Sequence, residues 1–131
     1  MNNANQLHQI VDNLFGYFEQ GEWDQAAQLF AENAQIIGQY GKKVSIMTVA
    51  EFVEKAKRGS LSKLGKPVYL DRRVAILGKD GFLEQHTSQL TIEGKVFKIP
   101  ACLVGKFDTH GKITLLEEYL DPSPLMAVLL K

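Results

Sequence analysis

The stretch His110-Gly111-Lys112-Ile113-Thr114-Leu115-Leu116-Glu117-Glu118-Tyr119-Leu120-Asp121-Pro122 spells a turn, a strand and the start of a helix in succession. Gly111 closes the turn. The aliphatic and aromatic residues that follow favour an extended chain. Asp121 and Pro122 read as the N-cap and first position of a helix. Side chains of a strand alternate between faces, so the adjacent carboxylates Glu117 and Glu118 point in opposite directions and one of them can sit inside the fold.

Working back from this strand, the pattern keeps a period of two as far as Pro67. Val96 to Phe107, Phe82 to Ile92 and Val68 to Leu77 are rich in β-branched and aliphatic residues, and Glu93-Gly94 and Asp80-Gly81 mark the turns between them. This predicts a meander of four long strands. The first half has a helical period instead. Leu7, Ile10, Val11, Leu14, Phe15 and Phe18 recur at three- and four-residue intervals up to Gly21. Trp23, Ala26, Ala27, Leu29 and Phe30 predict a second, shorter helix, Ala34 to Ile37 a brief strand, and Gly38 with Gly41 a loop. Thr48 and Glu51 form a capping box ahead of a third helix through Val49, Phe52, Val53 and Ala56. Gly59 to Lys66 reads as a polar loop. Helices followed by a meander predict one α+β domain over residues 1–131, with a curved antiparallel sheet wrapped around three N-terminal helices.

Composition narrows the function classes. Lys and Arg number 15 and so do Asp and Glu, so no net field draws the chain to nucleic acid or anionic lipid. No apolar run approaches the ~20 residues of a membrane span. The first residues lack the basic and apolar regions of a secretory signal, so a cytoplasmic protein is expected. A single cysteine, Cys102, excludes an internal disulfide and is read as inert filling. His8, His86 and His110 have no metal-ligand spacing, and no Gly-rich phosphate loop or nucleophile elbow is present, so neither metal nor cofactor is expected.

Two local patterns carry a resemblance. Gly21-Glu22-Trp23-Asp24 with Leu29-Phe30-Ala31-Glu32-Asn33-Ala34, and Gly111-Lys112-Ile113 with Glu118-Tyr119-Leu120-Asp121, resemble the opening and closing segments of the nuclear transport factor 2-like superfamily, above all its SnoaL-like domains. The resemblance covers nearly the whole chain and implies the cystatin-like, cone-shaped α+β barrel of that superfamily. Its members include isomerases, cyclases, dehydratases, epoxide hydrolases and non-catalytic binders, so it implies a fold and leaves the reaction open.

Carried over residue by residue, the catalytic groups of ketosteroid isomerases fall on Leu14, Gly38 and Leu103, none of which titrates. The arginine–aspartate pair of limonene epoxide hydrolases falls on Glu84 and His86 in one register and on His86 and Ser88 in another. The last-strand aspartate of those hydrolases falls on Glu118, and two water-holding residues fall on Ile36 and Gly38. Both families imply the same pocket face: Glu84, His86, Ser88 and Leu90 on one strand, Ile99, Ala101 and Leu103 on the next, and Leu116, Glu118 and Leu120 on the last. Glu117, Tyr119 and Asp121 then face the other way.

His86 and Glu118 are the candidate acid–base couple, because burial and mutual pairing can bring such groups to titrate near neutral pH. Asp121 is a third candidate, since SnoaL-like cyclases use a carboxylate near this end, although capping accounts for it. Asp71-Arg72-Arg73 reads as a solvated or locally paired cluster. The expected function is binding of an apolar small molecule, with isomerase, cyclase or hydrolase chemistry by proton transfer. The alternative is a non-catalytic ligand-binding or dimerisation domain. A homodimer is expected from the fold and from Ile113, Leu115 and Tyr119 on the outer face.

Overall fold

The computed structural model describes residues 3–58 and 67–125. The polar loop expected at 59–66 and most of the apolar tail, 126–130, lie outside the described residues.

Helix α1 (Ala4–Gln20) begins at a capping box in which Asn3 and Gln6 each accept the other's backbone N–H, and it ends where Gly21 turns left-handed at φ 71°. Its buried stripe is Leu7, Val11, Leu14, Phe15 and Phe18. Helix α2 is shorter than expected, Trp23–Ala27. Leu29 and Phe30 leave the helix because strand β1 (Phe30–Tyr40) begins there: Phe30 pairs with Ile113, and Ile113 N–H donates to the Leu29 carbonyl at 2.9 Å. The brief strand of the sequence reading is thus eleven residues long. The region read as a loop is a hairpin, in which β1 turns at Gly41 (φ 67°) into β2 (Lys43–Thr48), with Tyr40 opposite Lys43. The Thr48–Glu51 capping box is present at 3.1 Å in both directions and starts α3 (Val49–Arg58).

The meander follows as β3 (Val68–Leu77), β4 (Gly81–Ile92), β5 (Lys95–Phe107) and β6 (Ile113–Leu120). Glu93 and Gly94 both have positive φ, 52° and 80°, as a two-residue hairpin turn requires. Asp108 accepts from the backbone of Lys112 and His110 in the next turn, which holds its carboxyl below the usual range. The six strands form one sheet in the order β2-β1-β6-β5-β4-β3. It is antiparallel except for β1 and β6, which run parallel. The sheet is curved and unclosed, with β2 and β3 as its edges. Helix α1 lies in the concavity, where Leu14, Phe15 and Phe18 pack with Ile36, Phe82, Leu103, Phe107 and Leu116.

Two irregularities set which side chains enter the concavity. The β5–β6 register shifts between Lys106 and Phe107, at the point where Thr114 has no partner, so Ile113 turns inward and is fully buried. Ile113 therefore belongs to the core and not to the outer face assigned from alternation. The β3–β4 register shifts between Leu70 and Arg73, so that Asp71 and Arg72 together oppose His86. Asp71 takes φ 56° to make this bulge. Tyr69, opposite Ser88, and Val74, opposite Glu84, then lie on one face despite their odd and even numbers, and Arg72 joins them.

Candidate active site on the concave face

The residues that the resemblance implies for a pocket lie on the inward face of the sheet. Glu84, His86, Leu90, Ile99, Ala101, Leu103 and Leu116 are buried, and Ser88, Glu118 and Leu120 are partly so. The pairing aligns them in rows across the strands: Glu84 opposite Leu103 opposite Glu118 opposite Gly38, and His86 opposite Ala101 opposite Leu120 opposite Tyr40.

One half of the polar equipment is a chain of contacts along β4. Glu84 has no exposed surface. Its Oε2 accepts from Arg72 Nε at 2.9 Å, and its Oε1 lies 2.5 Å from His86 Nδ1. His86 Nε2 lies 3.1 Å from Ser88 Oγ. Arg72 also pairs with Asp12 of α1 at 3.1 Å, and its guanidinium covers the Phe15 ring at 5.1 Å. Arg72 is thus no solvated surface charge. The bulge at Asp71 turns it inward, where it balances Glu84. A buried carboxylate without such a partner would be strongly destabilising. Tyr69 stacks on the imidazole with centroids 4.4 Å apart, and Phe15 meets its edge at 5.6 Å. Burial, reinforced by the nearby carboxylates, pushes the Tyr69 phenol far up, so it stays protonated.

The other half lies across the floor formed by Leu103 and Ala101. Glu118 Oε1 accepts from the Tyr40 hydroxyl at 3.0 Å. Desolvation pushes the Glu118 carboxyl up and the charge of Glu84 adds to this, while the Tyr40 hydrogen bond and the charge of His86 pull it back; desolvation dominates. Tyr40 is pushed up in turn by burial and by Glu118. Tyr40 reaches Glu118 because Gly38 has no side chain: a Cβ built there would lie within the Tyr40 ring. Position 38 carries no carboxylate, and in the fold a tyrosine two residues on fills that space.

His86 and Glu118 therefore share the face, while each hydrogen-bonds to other partners, His86 to Glu84 and Ser88 and Glu118 to Tyr40. Asp121 is elsewhere. It is exposed, and its carboxylate accepts from Ser123 N and Oγ at 2.9 Å, which holds its pKa down. This is the capping geometry, and residues 123–125 turn helical behind it. Three residues of the site escaped the sequence reading: Arg72, Tyr69 and Tyr40. Only Tyr40 had a signal available, its position two residues after Gly38 on the same face. Among the described residues no cluster of His, Cys, Asp and Glu has the geometry of a metal site. No helix of the described residues is long and apolar enough to cross a membrane.

The fold and face place the chain in a class: it has the nuclear transport factor 2-like, SnoaL-like fold. Neither family models nor the sequences of curated proteins match it. Solved structures do. The epoxide hydrolase/cyclase-like enzyme SalBIII superposes with a TM-score of 0.72 at 18% identity, covering 94% of this chain and 96% of its own. A chain from Shewanella putrefaciens CN-32 classed as a SnoaL-like polyketide cyclase gives 0.75 at 10% identity, covering 95% and 86%. A nuclear transport factor 2-like protein from Burkholderia xenovorans LB400 gives 0.74 at 15%, covering 95% and 96%.

Proposed function

We propose that the protein binds a small, largely apolar metabolite on its concave face and converts it, without a cofactor, by proton transfer. Glu118 is the acid and His86 the base. The observation that carries this reading is the desolvated Glu118 carboxyl, pushed up, on the same face as an imidazole fixed by Glu84. A carboxyl raised in this way keeps its proton closer to neutral pH and can deliver it to a developing alkoxide or enolate. Arg72 is paired with both Glu84 and Asp12, so its charge is balanced, while its buried Nη2 has no hydrogen-bond partner among the described residues.

Ring closure of a hydroxy-epoxide, or its hydrolysis, is the reaction type that suits this pair. The epoxide oxygen needs a proton as the C–O bond breaks, and the attacking hydroxyl or water must lose one. SalBIII, which shares the fold, is described as acting in pyran ring formation. Isomerisation next to a carbonyl needs the same two groups. The test is a panel of hydroxy-epoxides assayed for cyclic ether and diol, with deuterium exchange of simple ketones run in parallel. Turnover should fall by about 10²-fold or more in Glu118→Gln and in His86→Gln. Wild-type rates in both variants would refute the assignment.

We propose also that the convex face seats a second copy of the chain. Val44, Ile46 and Tyr119 are exposed there. Ile46, Ile37, Glu117, Val104 and Leu83 lie in one row across five strands, and Gln39 Nε2 ties back the Glu117 carboxylate at 2.9 Å.

A further inference from the structure

We propose that Ser88 is a nucleophile, giving the protein a second activity: hydrolysis of small uncharged esters through an acyl-serine. Glu84, His86 and Ser88 occupy alternate positions of β4 on one face. Glu84 is ion-paired with Arg72, and in the neutral tautomer of His86 that donates to it through Nδ1 the ring lone pair is on Nε2. That lone pair faces the Ser88 hydroxyl at 3.1 Å. Both ring nitrogens thus have partners, and Ser88 Oγ is the end of this chain of contacts. Carboxylate, imidazole and hydroxyl in this order, with the carboxylate fixed from behind, define an activated serine by geometry and role, whatever their sequence positions.

The steps balance. Oγ bonds to the acyl carbon as its proton passes to Nε2. The alkoxide leaves, takes that proton and departs as an alcohol. Water then gives a proton to Nε2 and attacks the acyl carbon, Oγ leaves and regains the proton, and a carboxylic acid is released. Tyr69, the register partner of Ser88, carries on the same face a protonated phenol that can donate to the transient oxyanion. The surroundings of Ser88 are apolar, since its register partner Ile99 packs with Leu90 and Leu125, which suits an uncharged ester.

This activity shares His86 with the proton-transfer reading but depends on Ser88, which that reading does not use. The test is covalent labelling with an alkyl fluorophosphonate, read by intact mass and peptide mapping. It needs neither an epoxide nor a ketone, so its failure is separate from a failure of the proton-transfer assays. One adduct per chain is expected, on Ser88, with loss of fluoride. Labelling should slow by about 10²-fold or more in His86→Gln, and Ser88→Ala should remain unlabelled with an unchanged circular dichroism spectrum. If Ser88→Ala does not fold, the mapped position in the wild type decides. No adduct, an adduct elsewhere, or an undiminished rate in His86→Gln overturns the proposal.

Discussion

The Tyr40 ring lies over Gly38 and its hydroxyl donates to Glu118 Oε1 at 3.0 Å. A methyl group at position 38 would occupy the space of that ring, and the backbone of a paired strand cannot yield to it. Gly38→Ala should therefore evict Tyr40, at a cost of about 1–3 kcal/mol in urea unfolding, as for other overpacked sites. Glu118 then loses the hydrogen bond that opposes its desolvation, so its pKa should climb further. Tyr40→Phe should move the carboxyl in the same direction, seen by carbon-13 NMR titration. A fall in either variant contradicts the assignment.

Stability should decline with pH through the range set by Glu118. Its folded pKa lies above the ordinary value of 4.5, so between the two the folded chain binds the extra proton. Unfolding is then favoured as pH rises, and the slope of unfolding free energy with pH is negative for this group. Its favourable contribution is complete below 4.5 and lost as pH passes the raised value. The difference in Tm between wild type and Glu118→Gln, followed from about pH 5 to pH 8, should shift steadily against the wild type. A flat or opposite trend excludes a raised Glu118.

The contrast between Glu118 and Arg72 shows what the sequence could reveal. Glu118 lies in an unbroken stretch of β6, so alternation and the resemblance agreed on its face. The same rule, applied to Ile113 beyond the irregularity at Thr114, assigned it to the wrong side. Arg72 sits at a bulge made by a left-handed Asp71, and nothing in Asp71-Arg72-Arg73 announces which residue will take that conformation. Strand β2 is not legible in the sequence because its apolar residues Val44 and Ile46 face out and do not build a core. The Glu84–His86 contact was within reach of period-two reasoning, but the partner that makes a buried Glu84 tolerable was not.

Arg72 should be a stability determinant of the core. Arg72→Met removes the cation and leaves Glu84 buried against an imidazole alone, which predicts a loss of about 3–5 kcal/mol. Adding Glu84→Gln removes the uncompensated charge and should restore more than half of it. A double-mutant cycle by chemical denaturation reads both values. Additive effects would show that the 2.9 Å contact carries no coupling.

The convex face makes the last prediction. Val44 and Ile46 stand on the edge hairpin, and Tyr119 lies in the neighbouring row with Gln39 and Cys102. These side chains are exposed in the single chain and contribute little to its core, so charging them should cost the fold little while opposing any apolar contact between copies. The wild type should sediment as a dimer at micromolar concentration. Ile46→Lys with Tyr119→Lys should sediment as a monomer with Tm lowered only by the loss of association, and that Tm should no longer depend on protein concentration. A wild-type monomer overturns the homodimer. A variant that remains dimeric moves the interface off this face, while leaving the site on the concave side untouched, since Tyr119 and Glu118 point to opposite surfaces of β6.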